Sequence, residues 1–258
     1  MMTRASNSRV VAGRFARPVT TGCLLLLIVP AVLLGYFWYS VWHVHRDNDQ
    51  RRQAVLATIL DQARLATSDT AHALNTSGTT DTGILTGVIW QHTHAPAITY
   101  DASLHTFAAT GSRSVLYDEK KLVLPNGGQV NEKRCFTFTF SHPSGASWTA
   151  TMAEQAKEVC AAGETIDSRA RLAKDRIKNM AGARLSPTDV TDVLDPTHQQ
   201  DAYVMKGAVR HGQTVTITLL IHAQREVSAT AEQCYQFIRH LDVADTERSV
   251  TSAPLASC

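Results

Sequence analysis

The sequence predicts an α+β protein: one N-terminal transmembrane helix followed by two small helix-plus-antiparallel-sheet units, each with a disulfide staple. Three observations lead there. Residues 23–42 form a 20-residue stretch without charge, an order of amphipathic helix and period-two strands runs twice along the chain, and four cysteines fall into two matched pairs. The expected organisation is a basic cytoplasmic tail over 1–22, a transmembrane signal anchor over 23–42, a first extracytoplasmic unit over 47–160 and a second over 164–258.

The stretch CLLLLIVPAVLLGYFWYSVW spans residues 23–42. At ~1.5 Å per residue it matches the ~30 Å hydrocarbon core of a bilayer. Tyr36, Phe37, Trp38, Tyr39 and Trp42 crowd one end, as an aromatic belt at headgroup level does, and Pro30 is of a kind that membrane helices tolerate. Orientation follows from charge. Arg4, Arg9, Arg14 and Arg17 precede the stretch without any acid, which keeps the short N-terminal side in the cytoplasm. All 23 acids lie beyond residue 42, and the part of the chain beyond it carries a formal charge of −2 against +2 overall. The positive balance therefore reflects topology and gives no nucleic-acid footprint. A cleaved signal peptide is excluded by the length of the apolar run and the lack of a small-x-small site after it. Cys23 precedes the run, where a lipoprotein cysteine would follow it. Apolar residues make up 44% and charged residues 19%, enough for a packed core and too little charge for a disordered chain.

Beyond the membrane, Asp47 or Asp49 is placed to cap a helix that stops within Asn75–Gly78. Its stripe is Leu56, Ile59, Leu60, Ala63, Ala66, Thr70 and Leu74, suited to cover the sheet that follows, with a coiled coil or a membrane-surface helix as the alternatives. Residues 84–152 read as β-structure, with strands in ILTGVIW, SVLY, KLVL, CFTFTF and SWTATM and turns at 125–128 and 142–145. In CFTFTF the period of two puts Phe136, Phe138 and Phe140 on one face, toward a core, and Cys135, Thr137 and Thr139 on the other. A second helix is expected in ETIDSRARLAKDRIKNMAGARL, with Ile166, Ala170, Ala173, Ile177 and Met180 inward. Arg169, Arg171, Lys174, Arg176 and Lys178 form its basic face, a solvated surface or a site for an acidic polymer or lipid headgroups. A short helix follows, with Ser186 as N-cap, Pro187 at its first position and Asp189 three residues after the cap. Then come a strand in AYVMKGAVR, a tight turn at His211-Gly212, a strand over 214–221 and a last strand in CYQFI.

Outside the membrane stretch the cysteines are Cys135, Cys160, Cys234 and Cys258, an even number suited to an oxidising compartment. Of the three possible pairings, the spacing favours Cys135 with Cys160 and Cys234 with Cys258, 25 and 24 residues apart. Both first cysteines open a Cys-aromatic-x-Phe strand. A Thr-Asp pair also recurs ahead of each set of strands, at Thr80-Asp81 and Thr188-Asp189, so the two units read as diverged copies.

Nothing in the pattern assigns chemistry. No phosphate loop, GxGxxG, HExxH or GxSxG is present. His92-x-His94 shares a face only on a strand, His43-x-His45 lies just past the membrane stretch, and neither completes a metal-ligand set. Asn75-Thr76-Ser77 matches a glycosylation acceptor. No catalytic residue, cofactor or metal ligand is assigned. The layout of one membrane helix and two α+β units is similar to single-pass proteins with tandem NTF2-like domains in some conjugation and secretion machines of Gram-positive bacteria. That resemblance implies a component of such a machine. The expected function is a non-enzymatic binding or assembly module of the cell envelope. It is held in the lipid bilayer by residues 23–42, partnered by other envelope proteins and not by nucleic acid. The alternatives are an extracytoplasmic ligand-binding or sensor module, with a pocket between helix and sheet, and an envelope hydrolase.

Overall fold

In a computed structural model the chain is described over residues 16–122, 127–143, 146–196, 202–223, 232–243 and 249–258, with side chains from Ile28 onward except Ala183. The elements run α1 (Ala16–Ser77), α2 (Thr82–Thr93), β1 (Ala97–Asp101), β2 (Thr106–Asp118), β3 (Gln129–Ser141), β4 (Thr149–Gln155), α3 (Lys157–Asn179), a 3-10 turn (Gly182–Arg184), α4 (Pro187–Leu194), β5 (Tyr203–His211), β6 (Thr214–His222), β7 (Glu232–His240) and β8 (Val250–Leu255). Two four-stranded antiparallel sheets, β1-β2-β3-β4 and β5-β6-β7-β8, are simple meanders. The α+β class is therefore as expected, and each sheet follows a long helix and a short one.

The chain divides into two compact units, Met1–Gln53 with Tyr117–Val130, and Ala54–Leu116 with Asn131–Cys258. In the first, α1 is unbroken from Ala16 and no helix starts at Asp47 or Asp49, which correct the expected second start. No Gly or Pro lies between Trp42 and Asp49, and acids do not stop a helix already propagating. Residues 23–42 lie wholly inside α1. Among the described residues no helix is long and apolar enough to cross a membrane.

The second unit holds two cores. In one, Ile59, Ala63 and Leu74 of α1 and Leu85 and Ile89 of α2 cover Ile98, Phe107, Ala109, Phe136, Phe138 and Phe140 of the first sheet. The three phenylalanines of β3 are fully buried, as their alternation requires. The expected strand ILTGVIW is instead α2. Asp81 caps it by accepting from the Ile84 amide at 2.9 Å, Leu85 and Ile89 are buried four residues apart, and His94 closes it in the left-handed region. SVLY is the end of one long β2, while KLVL and both expected loop turns fall partly outside the described residues.

The other core sets Ile166, Ala170, Ala173, Ile177 and Met180, with Val190 and Leu194 of α4, against Val215, Ile217, Leu219, Ile221, Tyr235 and Phe237. This is the stripe expected for α3 and the alternation expected for β6. Ser186 caps α4 by accepting from the Asp189 amide, with Pro187 in the first turn. Gly212, at φ 58°, makes the β5–β6 turn as its sequence predicts, because only glycine enters the left-handed region without a Cβ clash.

Candidate functional site

Both predicted disulfides form: Cys135–Cys160 with 5.7 Å between Cα atoms, and Cys234–Cys258 with 5.4 Å. Their roles differ from two separate staples. The third helix begins at Lys157 and runs through residues 160–164, so Cys160 lies one turn inside the helix that builds the second core. The first bridge therefore ties β3 of one sheet to the helix of the other. Beside it, Lys133 of β3 pairs with Glu164 of α3. Gly163 sits so close to Pro96 that a Cβ would meet its ring at 3.2 Å, which is why a glycine suits this crossing. The second bridge holds the chain just past β8, where Ala256 packs on the first core.

A buried polar seam joins the same two sheets. Gln233 of β7 is 3% exposed, and its side-chain oxygen accepts from the Ile98 amide of β1 at 2.7 Å. Its amide nitrogen donates to the Leu255 carbonyl at 2.7 Å and to that of Cys234 at 3.2 Å. The Tyr235 hydroxyl donates to the Pro96 carbonyl at 3.1 Å. Burial pushes the Tyr235 phenol well above its ordinary pKa of 10.0, since the phenolate would lose its water. No sequence signal marks Gln233; its role exists only because β1 and β7 meet.

The basic face expected on α3 is largely engaged within the fold. Arg169 donates to the His222 carbonyl, Arg171 pairs with Asp167, and Arg176 donates to the carbonyls of Leu194 at 2.6 Å and Val193 at 3.3 Å. A surface cleft of about 630 Å³ beside Arg176, Arg184, Asp189 and Asp192 lies at the C-terminal end of α3, where Met180 of the second core lines it. His92 lies in α2 and His94 is its cap, so they do not share the strand face their spacing suggested. His43 and His45 are two apart on a helix, about 200° around its axis. Among the described residues no group of three or more His, Cys, Asp or Glu side chains is arranged to hold a metal ion. Asn75, the glycosylation match, has its amide engaged: Nδ2 donates to the Trp148 carbonyl at 3.3 Å and Oδ1 accepts from the Trp148 amide at 2.7 Å.

In the other unit two features adjoin on α1. Every position from Ile28 to Tyr39 is exposed, including Tyr36 at 71% and Trp38 at 76%. The Arg46 guanidinium lies 5.3 Å above the Trp42 ring, and the next turn grips the β2–β3 hairpin. The Asn48 amide makes a paired contact with the backbone of Lys120, donating to its carbonyl and accepting from its amide, both at 2.9 Å. Lys120 Nζ reaches Asp47 at 2.8 Å, and Arg51 donates to the Asp118 carbonyl at 3.0 Å. The hydrogen bond from Lys120 holds the Asp47 carboxyl below its usual pKa. Sequence reasoning gave Asp47 a capping role and missed this clamp, whose partners lie 72 residues away from Asn48.

No family model, curated protein or solved structure matches the chain.

Proposed function

We propose that the chain is a single-pass membrane-anchored protein whose two α+β modules lie outside the cytoplasm and serve as a non-enzymatic binding or assembly module of the cell envelope. The observation that carries this reading is the uncovered, charge-free run on α1. Ten large apolar side chains between Ile28 and Trp42 are exposed. At about 1.5–3 kcal/mol for each such side chain fully buried, leaving this surface in water forgoes on the order of 10 kcal/mol, comparable to a whole domain's stability. A bilayer relieves that cost. The sequence continues the run upstream through Cys23–Leu27 to the 20 residues a bilayer needs, and the arginines before it favour a cytoplasmic N-terminal side. Two disulfides favour an oxidising compartment for the rest. Two modules joined by a bridge and a polar seam suit holding a fixed geometry between partners better than opening around a ligand.

The test is alkaline carbonate extraction of native membranes, followed by crosslinking. The proposal expects the chain to stay with the membrane pellet and to crosslink to a defined set of envelope proteins. Release into the supernatant contradicts the anchor, and a self-only crosslink pattern contradicts the assembly role.

A further inference from the structure

A sheet edge presents backbone N–H and C=O groups that pair with any extended chain, so folds blunt their edges with proline, bulges, charge or cover. The two meanders have four edge strands, β1, β4, β5 and β8. β1 is held by β7, since its Ile98 amide donates to Gln233 and the Pro96 carbonyl just before it accepts from Tyr235. β5 carries a bulge between Met205 and Gly207, with the exposed Lys206 in it, and β8 carries Pro254. β4 has none of these devices. It pairs with β3 in unbroken register from Thr149 to Gln155, and its one charge, Glu154, is paired with Arg134 at 3.1 Å.

Asn75 shows which backbone groups of β4 are open. Its side-chain amide takes both the N–H and the C=O of Trp148, just before β4, as a neighbouring strand would. Trp148 therefore turns these groups away from β3. Backbone groups alternate in direction along a strand, so Ala150, Met152 and Glu154 turn theirs the same way. Among the described residues nothing bonds to them there.

We propose that β4 is the edge through which two copies of this chain join, antiparallel and two-fold symmetric about Met152, merging their first sheets into one. In that register Ala150 of each copy faces Glu154 of the other and Met152 faces Met152. Each facing pair exchanges two hydrogen bonds, about six in all, within the ~10 ± 5 of a typical interface. Sliding by two residues needs either Trp148, which Asn75 already holds, or Ala156, whose carbonyl accepts from the Val159 amide at the start of α3. The occupant is a second copy because the charges of β4 fit those of its own image. Glu154 meets Ala150 and not another Glu154, and its Arg134 partner leaves no unbalanced charge at the seam. The pairing stands on β4 alone and does not depend on the membrane anchor. A copy-to-copy contact is then expected alongside the other envelope partners.

Its test uses the full chain with Cys23→Ser in detergent, both disulfides intact, carrying Met152→Cys or, as a control, Leu65→Cys. Leu65 is exposed on α1. Facing Cα atoms of the paired strands lie about 5.5 Å apart, within reach of a disulfide. Oxidation with diamide should link copies through position 152 about tenfold more than through position 65. Thr151→Lys/Ala153→Lys sets lysine opposite lysine at two exposed positions and should abolish that link without changing the melting temperature. Hydrogen exchange of the unsubstituted chain gives an independent readout: the amides of Ala150, Met152 and Glu154 should be slow at high protein concentration and quicken on dilution. Equal linking at 152 and 65, with fast exchange at every concentration, overturns the dimer. Slow exchange that ignores dilution also overturns it, because the edge is then covered within one chain. A link from position 152 to a different protein in native membranes, with none to itself, replaces the second copy by a partner's strand and overturns the proposal.

Discussion

Replacing Cys135 and Cys160 together by alanine removes the bridge between the first sheet and α3. The bridge closes a segment of 25 residues. Constraining the unfolded chain over such a loop removes about 12 cal/mol/K of its entropy, which is about 3.5 kcal/mol at 25 °C. For a domain of this size, each kcal/mol corresponds to about 2–4 °C, so the oxidised double variant should melt about 7–14 °C lower than the parent. The second bridge spans 24 residues, so Cys234→Ala/Cys258→Ala should cost nearly the same. Calorimetry of the detergent-solubilised full chain reads both. Amide exchange gives a second readout: losing the first bridge should speed exchange in α3 near Gly163, where the helix crosses the first sheet. A loss below about 1 kcal/mol for either pair would refute the unfolded-state argument. Unchanged exchange at the start of α3 would refute the claim that the first bridge joins the two sheets.

Three further outcomes follow from the seam and the clamp. Gln233→Ala should cost about 3 kcal/mol in urea unfolding, because it strands the buried Ile98 amide and the Leu255 carbonyl at about 1–3 kcal/mol each; a cost near zero would remove the seam from the account. Tyr235 stays neutral in the fold, so its contribution is fully present below pH 10 and is lost as pH rises past the unfolded value. Its phenolate absorbance should therefore appear only with unfolding, and Tyr235→Phe should remove that alkaline component. Asp47 has a depressed pKa, so its contribution is present above the ordinary carboxylate value of 3.8 and fades as pH falls through the folded one. Exchange of the Lys120 amide should quicken in that acid window, and Asp47→Asn should flatten the dependence.

The parts legible in the sequence are those where one strong periodicity met one clear punctuation. Phe136, Phe138 and Phe140 alternate without exception, the α3 stripe repeats at three and four, and Ser186-Pro187 marks a helix start that the fold uses. Equal cysteine spacing gave both pairings because each pair joins the third strand of a sheet to the segment after the fourth. ILTGVIW misled because a short apolar run rich in β-branched and aromatic residues suits a buried strand or a buried helix equally. The deciding detail was the Asp81 cap, read only as half of a repeated pair. The α3 start was hidden since Ala156 offers no capping side chain, and the boundary drawn between 160 and 164 cuts across that helix. β1 and β8 are short edge strands with mixed patterns, and Pro254 in β8 argues against a strand. Clamp and seam depend on residues 72 and 135 positions apart, such as Asn48 with Lys120 and Gln233 with Ile98, and no local pattern encodes such meetings.

The central claim, that α1 crosses a bilayer and leaves both modules outside the cytoplasm, is tested most directly by cysteine labelling in intact cells. On a Cys23→Ser background, Leu65→Cys and Ser6→Cys are exposed in turn to a membrane-impermeant maleimide. The account predicts that position 65 labels in intact cells and position 6 labels only after lysis. Labelling of position 6 in intact cells, or protection of position 65 until lysis, would contradict it.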